Sequence, residues 1–502
     1  MAREADELDL FARAEQFKDG HAIRDETGIY SYQQLLTASA SIASSLLNGR
    51  SDLNEARISF LVSPGFHYTA VQWGIWRAGG IAVPLPVSHP PAELQYVLRD
   101  SGSESVVVDP LLIERIRLAA EACSIPVLLT TAMQQKGSLP QLDASRRAMI
   151  IYTSGTTGKP KGVVTTHAQI QAQVTSLVSS WGWVKDDVIL NVLPLHHVHG
   201  VVNVLTCALW SGALCEFLPQ FKAEKVWQRF QKGGITLFMA VPTIYSKLIR
   251  VWQEADQERR KRMSRCVSEL RLMVSGSAAL PIAVLDQWRT ISGHTLLERY
   301  GMTEIGMALS NPLKGERVAG HVGKPLAGVI IRLVDEQGEP FDAFDCPGEI
   351  QVKGPCVFKE YWQKPQATRD AFQDGWFRTG DSAQKRSDGV YRILGRNSVD
   401  IIKSGGFKIS ALEIEDILRT HAVMVDCAVV GVEDPEWGER IAAACVIEPG
   451  KQLTLQELKS WAKERLAPYK VPTLLRVLRA LPKNAMGKTV KQEVKELFRK
   501  SV

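Results

Sequence analysis

No stretch of the 502-residue chain approaches the roughly 18 consecutive apolar residues of a spanning helix, so an integral membrane protein is not expected. The N-terminus, Met1-Ala2-Arg3-Glu4-Ala5-Asp6-Glu7, is acidic with no apolar core behind it, which argues against a secretory signal or a basic transit peptide and for a cytoplasmic location. The eight cysteines form no CxxC pair and have no histidine at ligand spacing, which removes zinc-ribbon and thioredoxin-like chemistry and leaves reduced core thiols. Stacking aromatics do not interleave the basic residues, so the net charge of +6 does not read as a nucleic-acid surface. Nine Lys/Arg fall between residues 470 and 500 against only Glu493 and Glu496, an excess that accounts for the whole net charge. That segment reads instead as a basic face toward an anionic cofactor. Repeats and low-complexity tracts are missing too, and nothing indicates an obligate protein partner.

What the chain does contain is enough apolar residue, 45%, to fill more than one core, and its length calls for at least two domains. Short apolar runs (Ile58 to Val62, Ile81 to Val83, Val106 to Val108, Val127 to Leu129, Val188 to Leu190, Thr236 to Val241, Leu272 to Val274) alternate with helical patterns over Tyr68 to Arg77, Ile170 to Trp181 and Ile282 to Ile291. This is α/β patterning: layered sheets with flanking helices, in a large N-terminal domain expected over 1–395. From about residue 327 to 395 shorter strands and Gly-rich turns predict a β-rich subdomain. After Gly395-Arg396 a small α+β domain is expected over 396–502, with a helix from Ala411 to Leu418, strands near Cys427 to Val432 and Ala443 to Ile447, and a helix from Leu455 to Leu466.

The most informative segment is Tyr152-Thr153-Ser154-Gly155-Thr156-Thr157-Gly158-Lys159-Pro160-Lys161-Gly162. Glycine backbone amides, Thr hydroxyls and two lysines converge there as a polyphosphate cradle, and its place after Ala148 to Ile151 and before a helix-like segment from Thr165 predicts a strand–loop–helix unit. It is not a Walker loop: two residues, not four, separate Gly155 from Gly158, and Pro160 follows Lys159 where Ser or Thr is required. Downstream, Tyr300-Gly301-Met302-Thr303-Glu304 offers an aromatic for a purine, a hydroxyl for a phosphate oxygen and a carboxylate for Mg²⁺. Thr379-Gly380-Asp381 offers a carboxylate after a tight turn for ribose hydroxyls, and Lys488 follows Gly487 in the basic tail. Singly, each of these reads equally well as an ordinary turn or a solvated side chain.

Their order and spacing resemble the adenylate-forming superfamily of acyl-CoA synthetases, firefly luciferases and peptide-synthetase adenylation domains, over nearly the full length. The resemblance rests on Tyr152 to Gly162, Pro194 to Gly200, Ser275 to Ala279, Tyr300 to Glu304, Thr379 to Asp381, Gly395-Arg396 with Lys403 to Lys408, and Gly487-Lys488. It implies ATP, Mg²⁺ and CoA as cofactors and co-substrates, with a mobile C-terminal domain. Thr153, Ser154, Gly155, Thr156, Thr157, Gly158, Lys159, Pro160 and Lys161 would embrace the phosphates, with Ser277, Ala278 and Tyr300 beside the nucleotide and Asp381 and Arg396 on the ribose. Thr303 and Glu304 would serve the α-phosphate and Mg²⁺, and Lys488 would bridge the reacting carboxylate and phosphate. Lys403, Ser404, Gly405, Gly406 and Lys408 are the expected CoA-binding segment. The hinge is expected at Ser398 or Asp400.

For the acid, many relatives carry a small Gly just before the Tyr-Gly-x-Thr-Glu tyrosine, where this chain has Arg299. A guanidinium there would pair bidentately with a second carboxylate, pointing to a short dicarboxylic acid unless Arg299 turns outward or pairs with an acid such as Glu298. The local sequence Leu297 to Leu313, with Ser398 to Lys403, is similar to the malonyl-CoA synthetase branch, which puts malonate first and methylmalonate second. His197 is expected to line the acyl site with Ser277 and Met302. The cluster His196, His197 and His199 also permits a metal reading, but the segment supplies neither a further ligand nor an acid. Loading of a carrier-protein thiol is the alternative activity. A luciferase-like oxygenase is disfavoured by Arg299, and a non-catalytic nucleotide sensor by the presence of Glu304 and Lys488.

Overall fold

The computed structural model of the chain describes residues 8–153, 159–218, 220–405, 407–484 and 488–499. Among them the strands form four sheets, of nine, seven, six and five strands. In the seven-stranded sheet, Arg57–Leu61, Ile81–Pro84, Ser105–Val108 and Val127–Leu129 run parallel. Most of their residues are fully buried, as expected for strands covered by helices on both faces. The helix Phe66–Arg77 packs Trp73 and Trp76 into this core, and the Trp76 indole donates to the Ala148 carbonyl at 2.7 Å. The nine-stranded sheet runs through Gly306–Ser310, Leu297–Met302, Leu272–Ser275 and Leu237–Ala240 to Val188–Asn191 and beyond.

The polyphosphate segment departs from the expected strand–loop–helix unit. Arg147–Thr153 and Lys161–Thr166 are antiparallel strands, with Tyr152 opposite Gly162 and Thr153 opposite Lys161. The helix begins only at His167, where Thr166 and Gln169 close a reciprocal capping box. The physical reason lies in Pro160, which disfavours the helical region for Lys159, and in the β-branched run Val163-Val164-Thr165-Thr166, which favours a strand before the cap. The lysines therefore leave a hairpin, and the helix N-terminus is too far along the chain to supply the phosphate amides.

Ile330–Val334, Gly348–Lys353, Trp376–Lys385 and Tyr391–Arg396 form the body of the six-stranded sheet. Asp381 does not follow a tight turn. It lies inside the ten-residue strand Trp376–Lys385, just after an irregularity at Gly380 (φ +71°), and faces Arg396 on the neighbouring strand. Beyond Arg396 a five-stranded sheet, including Met424–Asp434, Gly438–Ile447 and Leu474–Leu478, builds its own apolar layers. Ile414, Leu418, Val429 and Leu458 pack on one face, and Val430, Ala442, Val494 and Phe498 on the other.

Candidate active site

Successive residues of a strand point to opposite faces, and this alternation builds the centre of the site from Leu297–Met302. Tyr300 sends its hydroxyl to Asp381 Oδ2 at 2.6 Å, while Arg396 Nε donates to Asp381 Oδ1 at 3.0 Å. Both oxygens of Asp381 are thus oriented by residues from two different sheets. The expected ribose pair and the expected adenine neighbour come together in one hydrogen-bonded unit. After Thr303, in the turn that ends the strand, Glu304 is 6% exposed and accepts from the Tyr361 hydroxyl at 2.9 Å. Burial raises its pKa above the ordinary carboxylate value, opposed by the Tyr361 hydrogen bond and the Arg396 charge.

Lys161 Nζ stands 4.8 Å from the centre of the Tyr361 ring, and the ring belongs to the short strand Glu360–Tyr361 that pairs with Val163 and Val164. One tyrosine therefore holds the hairpin lysine and the acidic residue in the same place. Lys159 Nζ lies 5.7 Å from the Tyr96 ring, whose hydroxyl donates to the Pro160 carbonyl at 2.7 Å. Ser154, Gly155, Thr156, Thr157, Gly158 and Gly406 lie outside the described residues, as does the side chain of Lys408.

Glu298 and Arg299, successive residues of the strand Leu297–Met302, diverge to opposite faces and find different partners, which removes the reading in which they pair. Glu298 is 6% exposed and accepts from Gly320 N at 3.1 Å; burial pushes its pKa up to about 8, with the Asp416 charge adding to the effect. Below that pH the folded protein holds a proton that the unfolded chain, at the ordinary value of 4.5, releases. Stability carried by neutral Glu298 is therefore lost as pH rises from about 4.5 to about 8. A thermal-unfolding series across that window is expected to show a shallower decline for Glu298→Gln than for the wild type. Parallel curves would remove this role.

Arg299 is 4% exposed, and among the described residues it has no carboxylate partner. Burial depresses its pKa to about 9, so it remains charged at neutral pH. Its Nη2 donates to Ser277 Oγ at 3.3 Å, and Ser277 Oγ lies 3.2 Å from His199 Nδ1. Burial, then the charges of Arg299 and His197, hold His199 well below its ordinary pKa, so its ring is neutral. With Ser277 accepting from Arg299, its hydroxyl proton is free for His199 Nδ1. The ring then keeps its hydrogen on Nε2. His199 Nε2, His197 Nε2, Arg299 Nε and both polar atoms of the Asn203 side chain are buried without a hydrogen-bond partner among the described residues. Native interiors rarely leave such a cluster unsatisfied, and a polar ligand answers it.

Backbone geometry makes room for the guanidinium. Ser277 sits at φ +68°, a left-handed conformation that is uncommon outside glycine, and a Cβ on Gly276 would stand 2.4 Å from Arg299 Cζ. Gly276→Ala must push the guanidinium aside. We expect kcat/KM for the acid substrate to fall by on the order of tens- to a hundredfold with KM for ATP nearly unchanged, as steady-state kinetics with each substrate varied in turn would reveal. Met302 and His197 are partly exposed, and Ala278 is exposed in the loop after Ser277. His199, seated at the start of the π-helical segment His199–Thr206, is read in the sequence only as a possible metal ligand, and Gly276 and Tyr361 receive no role there. The π-turn has no sequence signature, and the other two matter only through contacts distant in sequence. Among the described residues no set of three His, Cys, Asp or Glu side chains is placed to hold a metal ion.

In the small domain, Lys403 and Ser404 end the strand Ile401–Ser404, and Gly405 (φ +55°) donates to the Trp437 carbonyl at 2.9 Å. The half-exposed Trp437 ring covers Gly405, and exposed Phe407 stacks on Tyr469 with ring centres 4.3 Å apart. Lys488 is exposed, close enough to Asp400 for its charge to help lower the Asp400 pKa. Ser398 lies in the turn between them and Arg396.

Known proteins resemble this chain over nearly its whole length. The family of AMP-binding enzymes matches residues 10–362, and the C-terminal domain of AMP-binding enzymes matches residues 413–488. The mitochondrial malonate–CoA ligase ACSF3 of Xenopus laevis is 47% identical over 97% of this chain and 91% of its own length. Among solved structures, ATP-bound MatB from Rhodopseudomonas palustris superposes with a TM-score of 0.89 at 31% identity, covering 98% of this chain and 99% of that one. A malonyl-CoA ligase in a ternary product complex with methylmalonyl-CoA and AMP gives a TM-score of 0.68 at 35% identity, covering 93% of this chain and 97% of that one. With both family models matched in order and relatives of this identity along nearly its full length, the chain belongs to the AMP-binding enzymes, the acyl-CoA synthetase family.

Proposed function

We propose that the protein is a malonate–CoA ligase: it joins malonate to CoA through a malonyl-adenylate, with ATP cleaved to AMP and pyrophosphate. The observation that carries the choice of acid is Arg299, a buried cation without an acidic partner among the described residues, held by Ser277 and flanked by His199. One carboxylate of malonate pairs with this guanidinium while the other, a single methylene away, faces the α-phosphate. A monocarboxylate would leave the charge desolvated and alone. The names of the relatives support the same substrate, and the methylmalonyl-CoA complex makes methylmalonate the second acid to test.

Catalysis rests on charge placement. A carboxylate attacks an anionic phosphorus only if the developing negative charge is met by fixed donors, and we assign that role to Lys488, Thr303 and the hairpin lysines Lys159 and Lys161. Asp381, locked by Tyr300 and Arg396, fixes the ribose and with it the line of attack. Glu304 is the residue that would hold Mg²⁺. A lone carboxylate fits an ion that arrives on the triphosphate, since Mg²⁺ takes one or two carboxylates and otherwise phosphates and water, and the bound ion would neutralise phosphate charge. For the thiol step, the Lys403–Lys408 segment with the Trp437 and Phe407–Tyr469 rings supplies amides, cations and aromatic faces suited to CoA.

We further propose a division at 395/396, supported by the separate apolar layers of the two parts. No helix among the described residues is long and apolar enough to cross a membrane. Free thiols at all eight cysteines support a reducing compartment; the cytoplasm is our assignment and the mitochondrial relatives set the alternative, which cell fractionation decides. The central test is a panel of mono- and dicarboxylates in a pyrophosphate-release assay with CoA or a carrier protein as acceptor. Malonate and methylmalonate should lead, with CoA as acceptor; equal rates with acetate or a long-chain acid would refute the assignment to Arg299.

A further inference from the structure

Three residues beyond Lys488, at the start of the helix Lys491–Arg499, stands a cation that the reaction does not use. Lys491 Nζ lies 2.6 Å from Asp400 Oδ1 and 2.7 Å from Glu415 Oε1, with its side chain 9% exposed. Glu415, 3% exposed, is itself saturated: Oε1 also accepts from Val429 N at 2.8 Å, and Oε2 from Arg419 at 3.2 Å. Burial works against the charges of Asp400 and Lys491, yet their mutual attraction lowers the Asp400 pKa and, with Glu415 adding to it, raises that of Lys491, so both are ionised at neutral pH. Three ionic side chains far apart in sequence are clamped where an apolar contact would have served.

Asp400 faces two ways. Its carbonyl accepts from Ala411 N at 2.8 Å and its Oδ1 holds Lys491, both in the small domain. Its Oδ2 accepts from Arg396 N at 3.0 Å, and its own N–H donates to the Arg396 carbonyl at 2.7 Å, tying it to the residue that clamps Asp381. Gly395 (φ +128°) leaves space for this approach, since a Cβ there would stand 2.4 Å from Asp400 Cβ.

We propose that Lys491 is a positioning residue. Through Asp400 it fixes the Lys488 segment to the ribose clamp, and with Glu415 it makes everything from Asp400 onward one body with the small domain. The pivot then falls at Asn397–Val399, Ser398 included. Asp400 acts as a latch across that joint, and its bond to Arg396 N is the one that domain rotation breaks. Adenylation, which needs Lys488 in place, depends on the latch; thiol transfer does not. This inference rests on the role proposed above for Lys488.

The test separates the two half-reactions in the full-length enzyme: malonate-dependent ATP–pyrophosphate exchange, and CoA transfer from supplied malonyl-adenylate. Lys491→Met should depress exchange by on the order of 10- to 100-fold while transfer stays within about threefold. Lys491→Arg, which keeps the charge, should recover most of the exchange. Asp400→Asn, which weakens the clamp without a buried cavity, should repeat the split should Lys491→Met fold poorly. Equal loss of both half-reactions in a cooperatively melting variant, or no loss of either, overturns the proposal. Lys488→Ala in parallel isolates the premise: exchange surviving that change refutes the role of Lys488, whereas exchange lost there but intact in Lys491→Met and Asp400→Asn refutes only the latch.

Discussion

Arg299→Gly is expected to lower kcat/KM for malonate by at least about 10²-fold, about 3 kcal/mol or more, because it strands a substrate carboxylate in a site stripped of water. The cation persists in the folded protein at a cost: it is 4% exposed, its Nε is unsatisfied, and burial has already pulled its pKa to about 9. Removing it relieves that cost in the free enzyme and transfers it to the malonate complex. The same change should therefore improve the relative use of short monocarboxylates, whose apolar tails no longer face a charge. Pyrophosphate release with malonate, methylmalonate, acetate and propionate measures both effects. Unaltered malonate kinetics would mean that the second carboxylate is recognised elsewhere.

Lys488→Ala carries the second large effect. The lysine is exposed and acts on Asp400 only through its charge, as a minor contribution, so the folded state owes it little. The transition state owes it much: one fixed donor aimed at developing charge on phosphorus typically contributes about 2.7–4 kcal/mol, or 10²- to 10³-fold. Malonate-dependent pyrophosphate exchange should fall by that amount with an unchanged melting temperature. Transfer of a supplied malonyl-adenylate to CoA should remain within about threefold. Loss of both steps together would place Lys488 in the thiol reaction as well, against a domain rotation that carries it away.

Most strands of the large domain are legible because they are short apolar runs between turns, and so is the helix Ala411–Leu418, whose bounds match its hydrophobic pattern. The polyphosphate hairpin was misread as a strand–loop–helix because the strand Lys161–Thr166 is half polar by composition and its pairing partner lies across a loop. Asp381 was misread for a similar reason: Gly380 looks like a turn, but the flanking strands hold it in register inside a longer strand. In both places long-range pairing overrode a local signal.

The residues of the site divide the same way. The proposed chemistry is legible in residue type and order: a Gly- and Thr-rich basic segment for polyphosphate, a carboxylate and a lysine for adenylation, and an arginine where a small residue is usual. Strand alternation alone was enough to part Glu298 from Arg299. Only the tertiary structure decided that Arg299 has Ser277 and His199 instead of a carboxylate beside it, that Tyr361 joins Lys161 to Glu304, and that Lys491 closes on Asp400 and Glu415. The reason is physical. A side chain's type states what it can donate or accept, but its partner, its burial and hence its charge state depend on which distant segments the fold brings within about 3 Å.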